Sequence, residues 1–243
     1  MTTASWQVAV ARPALLLCLL LASACNDSNS RAPGPQAQQF RLNSLAKTDI
    51  GQVLEVHVHE ARGYLRELMI KLYRRNPREL AKSPVPDAEQ NIRHLFDEPH
   101  QWQFPELDGT TGVDALRLGL SADYDGDRVF AFVAGLLSMV MSTYEYKEEF
   151  YLLDSVDPQN LYNSARNIEI ASWKLRHDRG PDGEPVLYSV SLPGEVENLS
   201  YERLFGKLIA LQDTMAVIIA GKGNRTITKM VQRMATAAFL PIF

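Results

Sequence analysis

The sequence predicts a mainly α-helical protein that folds as an irregular multi-helix bundle, with at most one short hairpin or extended arm. Between residues 48 and 75, apolar residues recur at steps of three and four, which is the spacing of one helix face. The run from Val129 to Tyr144 carries no charge and fits a buried helix. By contrast, only Val186–Leu192 has the composition of a strand.

The first predicted helix covers residues 48–75, and three prolines then interrupt the chain. Asp87, with Gln90 three residues later, resembles a capping box that opens a short helix to Phe96. Residues 97–111 contain proline and aromatic side chains, and they predict an ordered loop that packs on the core.

Acidic residues mark the starts of the central helices. A short helix is predicted over residues 113–120. Asp127 is placed to cap the uncharged run that follows, because its carboxylate can accept from free backbone N–H groups at the positive end of the helix dipole. Asp157 followed by Pro158 predicts a helix that ends near Arg179, since an acid at the N-cap and proline at the first helical position both favour a helix start.

The last third of the chain predicts a turn, an arm and two helices. The segment 186–192 could pair with residues 171–177 as a hairpin, but a helical stripe runs through the latter, so an extended arm is favoured. Ser200 is predicted to cap a helix that stops at Gly223. A final helix is expected over about 226–239.

Residues 1–24 predict a signal peptide. The apolar run 14–21 is much shorter than the roughly 20 residues that cross a bilayer, and small residues follow it. The sequence Ala22-Ser23-Ala24-Cys25 resembles the lipobox of bacterial lipoproteins. This resemblance implies that Cys25 becomes the lipidated N-terminus of the mature protein. The alternative is an ordinary secretory signal cleaved near Ala24, which leaves Cys25 as a free thiol.

Residues 25–43 predict a lipidated N-terminus and a disordered tether, because polar residues, proline and glycine dominate this segment and offer little surface to bury. A single helical periplasmic domain is then expected over residues 44–243. Asn26 follows the cysteine, which in the enterobacterial sorting pattern permits transfer to the outer membrane. The expected location is therefore the periplasmic face of the outer membrane, with the inner membrane as the alternative.

The composition excludes some classes of partner. Removal of the 24-residue leader takes away Arg12 and no acid, so the formal net charge moves from -4 to about -5. Nucleic acid is bound mainly through Lys and Arg at phosphates, so no nucleic-acid partner is expected. Removal of the leader also removes Cys18, so Cys25 is the one cysteine expected in the mature chain and no disulfide can form within it. After the leader, no stretch is expected to be both long and apolar enough to span a membrane.

Asp123, Asp125 and Asp127 are the weak candidates for a metal site. Carboxylates at alternate positions can converge on a hard cation, as at the start of a calcium loop. However, such a loop has glycine sixth and glutamate twelfth, whereas Gly126 is fourth and Ala134 is twelfth here. The favoured interpretation is a helix-entry turn with one capping acid.

Three histidines are further weak candidates. His57 lies on the apolar stripe of the first helix, where a hydrogen-bonded core histidine is the favoured interpretation. His59 cannot share a metal ion with it, because residues two apart on a helix point in different directions. His94 and His100 flank two acids near Pro99, so a metal site there remains an alternative.

The sequence predicts no catalytic residue and no cofactor, since it contains neither a G-x-S-x-G motif nor a phosphate-binding loop of the usual spacing. The preferred function is a membrane-anchored, non-enzymatic accessory or scaffold protein with another envelope protein as its partner. One alternative is a small-ligand or lipid-binding module with a cavity beside Met139 and Met141, because methionine lines adaptable apolar surfaces. Another is a hydrolase or metal enzyme whose site is assembled only in the fold.

Overall fold

The computed structural model describes residues 48–191 and 194–243, and these residues form a mainly α-helical, irregular bundle. The predicted signal peptide, Cys25 and the predicted tether lie outside the described residues. Seven α-helices occur in the described part of the chain, and they are named here in chain order: α1 Asp49–Arg75, α2 Pro77–Leu80, α3 Ala88–Phe96, α4 Gly112–Leu120, α5 Arg128–Ser142, α6 Pro158–His177 and α7 Ser200–Gly223. Short 3₁₀ helices cover Pro105–Leu107 and Met234–Thr236.

The centre of the bundle is α5. Every residue from Val129 to Met141 is buried, as expected for a helix that is apolar on all sides. The helix packs closely on α4, because two glycines remove side chains at the contact. A Cβ atom at Gly135 would lie 2.6 Å from the backbone nitrogen of Leu116, and one at Gly119 would lie 2.8 Å from that of Phe132.

Around α5, the long helices α1, α6 and α7 complete the core. Helices α1 and α7 run antiparallel. The Tyr201 hydroxyl at the start of α7 donates to the carbonyl of Lys71 near the end of α1 (2.9 Å), whereas Lys207 lies over the ring of Tyr64, about two turns further into the pair. α6 packs along α7 and carries the stretch 226–243 on its outer surface.

Four predicted helix starts are confirmed by side-chain caps. Thr48 accepts from Gly51 N–H (3.1 Å), and Asp87 accepts from Glu89 N–H (2.9 Å). Asp127 accepts from Phe130 N–H (3.0 Å), and Asp157 accepts from Gln159 N–H (2.7 Å). Each side chain satisfies a donor that the helix itself leaves free. The predicted loop 97–111 also packs on the core, through Phe104 and Leu107.

The predicted role of Ser200 is wrong. Ser200 is the first residue of α7, Leu199 occupies the N-cap position, and the buried hydroxyl of Ser200 has no hydrogen-bond partner among the described residues. Instead, the side-chain oxygen of Asn198 accepts from Ser200 N–H (3.0 Å). A polar residue two positions earlier therefore satisfies the first free donor.

The predicted last helix over 226–239 is also wrong. Only Met234–Thr236 forms a helical turn, and the rest of this segment has no regular secondary structure. Tertiary contacts override helical propensity here, because the Gln159 and Tyr162 side chains of α6 bind the N–H and C=O groups of Thr228 and Met230, which a helix would pair internally.

The hairpin alternative for 186–192 is wrong because residues 171–177 belong to α6. The sequence Gly180-Pro181-Asp182-Gly183 forms the predicted turn, which an isolated antiparallel bridge between Arg179 and Pro185 closes. The arm that follows lies against the end of α1. Asn76 fixes it there. Its side chain accepts from Tyr188 N–H (2.7 Å) and donates to the Tyr188 carbonyl (2.9 Å).

By length and composition α7 could cross a membrane, contrary to the expectation that no stretch after the leader would. The expectation failed because α7 has charged residues, such as Lys207, among long apolar stretches. Its buried face contains Leu204, Phe205, Leu208 and Met215, which pack in the core of the bundle. Such a core helix passes the same test of length and apolarity.

Candidate functional site

The three acidic candidates do not come together. Asp123 and Asp125 are exposed, while Asp127 is buried and caps α5. No group of three or more His, Cys, Asp and Glu side chains that could hold a metal ion occurs in the described residues. The helix-entry interpretation of Asp127 is therefore confirmed by its geometry.

Asp127 belongs to a buried polar cluster that the sequence did not reveal. The Tyr73 hydroxyl donates to Asp127 Oδ2 (2.7 Å), and the Asn91 amide lies 3.3 Å from the same hydroxyl. Burial raises the pKa of Asp127 to about 6, although the bonds from Tyr73 and Phe130 N–H lower it and nearby Glu79 raises it further. The carboxyl group borders a hollow of about 130 Å³.

Glu79 is the second buried acid of this region, with 1% of its surface exposed. Lys82 Nζ lies 2.9 Å from its carboxylate, and the backbone N–H of Arg128 donates to it over 3.2 Å. A buried carboxylate with these partners holds α2 against the start of α5. The cluster thus stabilises a helix junction, and its role is structural.

The candidate histidines are held by protein groups. His57 is half-buried between α1 and α7, where burial lowers its pKa against the opposing effect of the Leu211 carbonyl, and its Nδ1 has no hydrogen-bond partner among the described residues. His94 lies against Phe104 and Phe130. His100 contacts the carbonyl of Leu95 through Nε2 (3.1 Å), and burial lowers its pKa.

Methionines 139 and 141 are also enclosed. Met139 is 1% exposed and Met141 is fully buried within α5. A hollow of about 410 Å³ touches Met139, but it is open to solvent and is lined on one side by residues 239–242.

A hollow of about 620 Å³ forms an open groove between α6, α7 and the arm. We call it the α6–α7 groove. Its wall combines apolar and charged side chains, and its members include Glu169, Trp173, Arg176, His177, Tyr201, Glu202, Phe205, Ile209 and Met234. The rings of Trp173 and His177 stack with centroids 4.3 Å apart.

Charges at the groove are only partly neutralised. Arg176 Nη1 lies 3.4 Å from Glu202 Oε1, whereas the buried Oε2 of Glu202 has no hydrogen-bond partner among the described residues. Burial raises the pKa of Glu169, an effect that Arg166 opposes. The groove therefore offers an apolar floor with acceptor groups that a donor on a bound molecule would satisfy.

A second polar feature of α6 binds the main chain of residues 226–243. We call this segment the strap and the five α6 side chains the polar ladder: Gln159, Asn160, Tyr162, Asn163 and Asn167. Gln159 accepts from Thr228 N–H (2.7 Å) and donates to the Thr228 carbonyl (3.1 Å). The Tyr162 hydroxyl does the same with Met230, at 3.1 and 3.2 Å.

The strap then turns at Met234–Thr236 and returns along α6. Asn167 accepts from Leu240 N–H (2.6 Å) and donates to the Leu240 carbonyl (2.8 Å). Asn163 donates to the carbonyl of Pro241 (2.9 Å). Asn160 pairs with both the N–H and the carbonyl of Phe243. The outward limb and the return limb thus lie along the same helix.

The polar ladder was missed by the sequence reasoning, although a signal for it exists. Asn160, Asn163 and Asn167 recur at steps of three and four, which places three amides on one helix face. All three are buried. Asparagine is a poor helix former, so its repetition at the spacing of a packed face indicates amides that bind something.

No protein-family model, no curated protein and no solved structure matches this chain. The groove and the polar ladder are therefore interpreted from their own chemistry. Together they define a helical bundle whose α6 faces both an open aromatic groove and an extended polypeptide.

Proposed function

We propose that this chain is a lipid-anchored, non-enzymatic protein of the bacterial cell envelope, an accessory or scaffold that docks another envelope protein in the α6–α7 groove. The observation that carries the proposal is the groove itself, in which aromatic side chains lie beside Arg176 and Glu202, and Oε2 of Glu202 has no hydrogen-bond partner in the part of the chain that the structure describes. Aromatic residues and arginine dominate the binding energy of protein interfaces.

The anchor in this proposal is Cys25, with the residues after it serving as a tether to the domain. Replacement of Cys25 by serine is expected to abolish lipidation and to release the chain from the membrane fraction. Mass spectrometry of the mature N-terminus checks this, and an unmodified N-terminus at any other residue would contradict the anchor. Fractionation of the lipidated protein separates the outer membrane, where we place it, from the inner membrane.

The groove is better suited to a protein side chain or segment than to an enclosed small molecule. It is open along its length and is lined by charged residues, whereas small-ligand sites bury most of the ligand surface. Arg176 projects at its edge with 54% of its side chain exposed. A partner can therefore reach the aromatic floor without any opening of the bundle.

Site-specific photo-crosslinking in intact cells tests the docking proposal. A photoreactive residue at position 176 is expected to capture a protein of the envelope, identified by mass spectrometry. The matched control is position 93, an arginine on α3 with 47% of its side chain exposed and outside the groove. Capture at 176 is expected to fall strongly with Trp173→Ser and to persist with Trp102→Ser. Equal capture at both positions, or none at 176, would remove the groove as the docking site.

A further inference from the structure

We infer that the polar ladder is a binding site for the main chain of an extended polypeptide, and that the strap occupies the place of a partner segment. This inference rests on the proposed function and names the class of partner. The strap and the α6–α7 groove adjoin each other, because Met234 of the strap lines that groove. A segment that replaces the strap would lie beside the aromatic floor.

The geometry of the ladder specifies an extended chain. Gln159, Asn160 and Asn167 each pair with both the N–H and the C=O of a single residue. In extended backbone, these two groups of one residue point to the same side, so one amide can bind both. In a helix they are paired internally along the axis. A helical ligand therefore cannot satisfy the ladder.

Some side chains of the strap face solvent and others pack on the core. Val231 is 99% exposed and Phe243 is 94% exposed. By contrast, Ala237 and Leu240 are buried, and three further apolar residues are partly buried against the core: Ile227, Phe239 and Ile242. A replacement segment thus needs extended backbone with apolar residues at the buried and partly buried positions, whereas the exposed positions can vary.

The buried polar groups of the ladder need hydrogen-bond partners whether or not the strap is in place. Asn167 is fully buried and its amide donates to the Leu240 carbonyl, so removal of the strap without a substitute would leave buried polar groups unpaired. Water or another main chain can meet that need, but an apolar surface cannot. The strap is joined to α7 through Asn224 in the left-handed conformation, and residues 224–226 are exposed. This short connection is where the strap can detach as a unit.

A covalently joined strap competes strongly with any free peptide, because a short link gives an effective concentration of about millimolar. The test therefore cuts this link in the full chain, purified in detergent, with a protease site inserted after Asn224. The probe is a fluorescein-labelled peptide with the sequence of residues 226–243. We expect the peptide to replace the strap in the cleaved chain with saturable binding. At micromolar concentration, we expect it not to bind the uncut chain.

Two modified peptides test main-chain recognition. N-methylation at Leu240 removes the N–H that donates to Asn167, and we expect binding at least tenfold weaker. N-methylation at Val231, a residue that is 99% exposed, is the matched control and is expected to leave binding unchanged. Equal binding of the two peptides would overturn the inference, and so would failure of the cut strap to exchange over a day in a chain that keeps its cooperative melt.

The source of the replacing segment is tested separately. Light scattering of the uncut chain is expected to show a monomer, and a dimer that exchanges straps on mixing would assign the site to a second copy in place of a partner. Deletion of residues 226–243 is expected to increase capture at position 176 in cells severalfold. If position 176 captures nothing while the peptide still binds, the docking proposal fails and the polypeptide site stands. Unchanged capture after the deletion would overturn the inference that the strap holds the partner's place.

Discussion

The hydroxyl of Tyr73 lies 2.7 Å from Oδ2 of Asp127, and both side chains are buried between α1 and the start of α5. This contact joins α1 to the start of α5 through two residues that are 54 positions apart in sequence. Asp127 also caps α5 through Phe130 N–H, so one carboxyl group serves a local and a tertiary role. Burial makes the charged form of this carboxyl group unfavourable in the folded state, and nearby Glu79 adds to the effect.

The pH dependence of stability follows from the raised pKa of Asp127, which is about 6 in the fold and well above the ordinary aspartate value of 3.8. Between these values the folded state binds the proton more tightly, so this group's contribution to stability is fully present below pH 4 and is lost as the pH rises through 6. The difference corresponds to a free energy on the order of 3 kcal/mol. Asp127→Asn keeps an N-cap of equal quality and removes the titration.

Chemical denaturation at a series of pH values compares the two proteins. The stability of Asp127→Asn relative to the parent is expected to increase between pH 4 and 7 and to level off above. Asp123→Asn, at an exposed position, is the control and should show no such trend. A relative stability that falls over this range would show that the fold favours the carboxylate.

Leu137 lies at the centre of α5 and is fully buried. Leu137→Asp would place a charge in the packed interior without a partner, at a cost of several kcal/mol against a typical domain stability of about 5 to 15. We therefore expect the folded protein not to accumulate, with loss of the cooperative melt in circular dichroism. Val56→Asp, at a position that is 60% exposed on α1, should leave the melt almost unchanged. A Leu137→Asp protein that melts cooperatively would show α5 to be peripheral.

The helices and their starts were predictable because their signals are local. Each capping side chain lies within three residues of the N–H group that it caps: Thr48, Asp87, Asp127 and Asp157. The apolar composition of α5 by itself predicts that this helix is buried. The strap was not predictable in this way. Its partners lie about 70 residues earlier on α6, and only the fold brings Asn167 to Leu240. The sequence pattern favoured a helix there because helical propensity is local. It does not include side chains of a distant helix that bind the main chain in place of helical hydrogen bonds.

The candidate site likewise had one part that the sequence could predict and one part that it could not. The rejection of a calcium loop at Asp123, Asp125 and Asp127 followed from spacing alone. The buried Glu79 and the pairing of Tyr73 with Asp127 did not, since their residues are scattered through the sequence and meet only where α1, α2 and α5 join. The α6–α7 groove likewise depends on how α7 and the arm pack against α6.

Substitution by alanine is expected to have opposite effects at two glycines, one in the close contact of α4 with α5 and one on the open surface of α7. Gly135→Ala would place a Cβ atom 2.6 Å from the backbone nitrogen of Leu116, so the two helices must move apart at an expected cost of about 1–3 kcal/mol. Gly206 on α7 has no atom within 4 Å of such a Cβ, and Gly206→Ala should stabilise the helix by up to about 1 kcal/mol. Urea denaturation measures both. Destabilisation of the same size at both positions would contradict close packing as the cause.

Asn167 and Gln159 offer a matched pair for the strap, because each amide binds the N–H and C=O of one residue while their burial differs. Asn167 is fully buried against Leu240, so Asn167→Ala leaves two buried main-chain groups unpaired, at an expected cost of about 2–4 kcal/mol. Gln159 binds Thr228 at an exposed position, where water can replace the amide, and Gln159→Ala should cost less than about 1 kcal/mol. Hydrogen exchange at the Leu240 amide is expected to accelerate strongly in Asn167→Ala and little in Gln159→Ala. Equal acceleration in both variants would mean that the strap is held by its apolar residues, Ala237 and Leu240, and that the buried amide contributes no specific hold on the main chain.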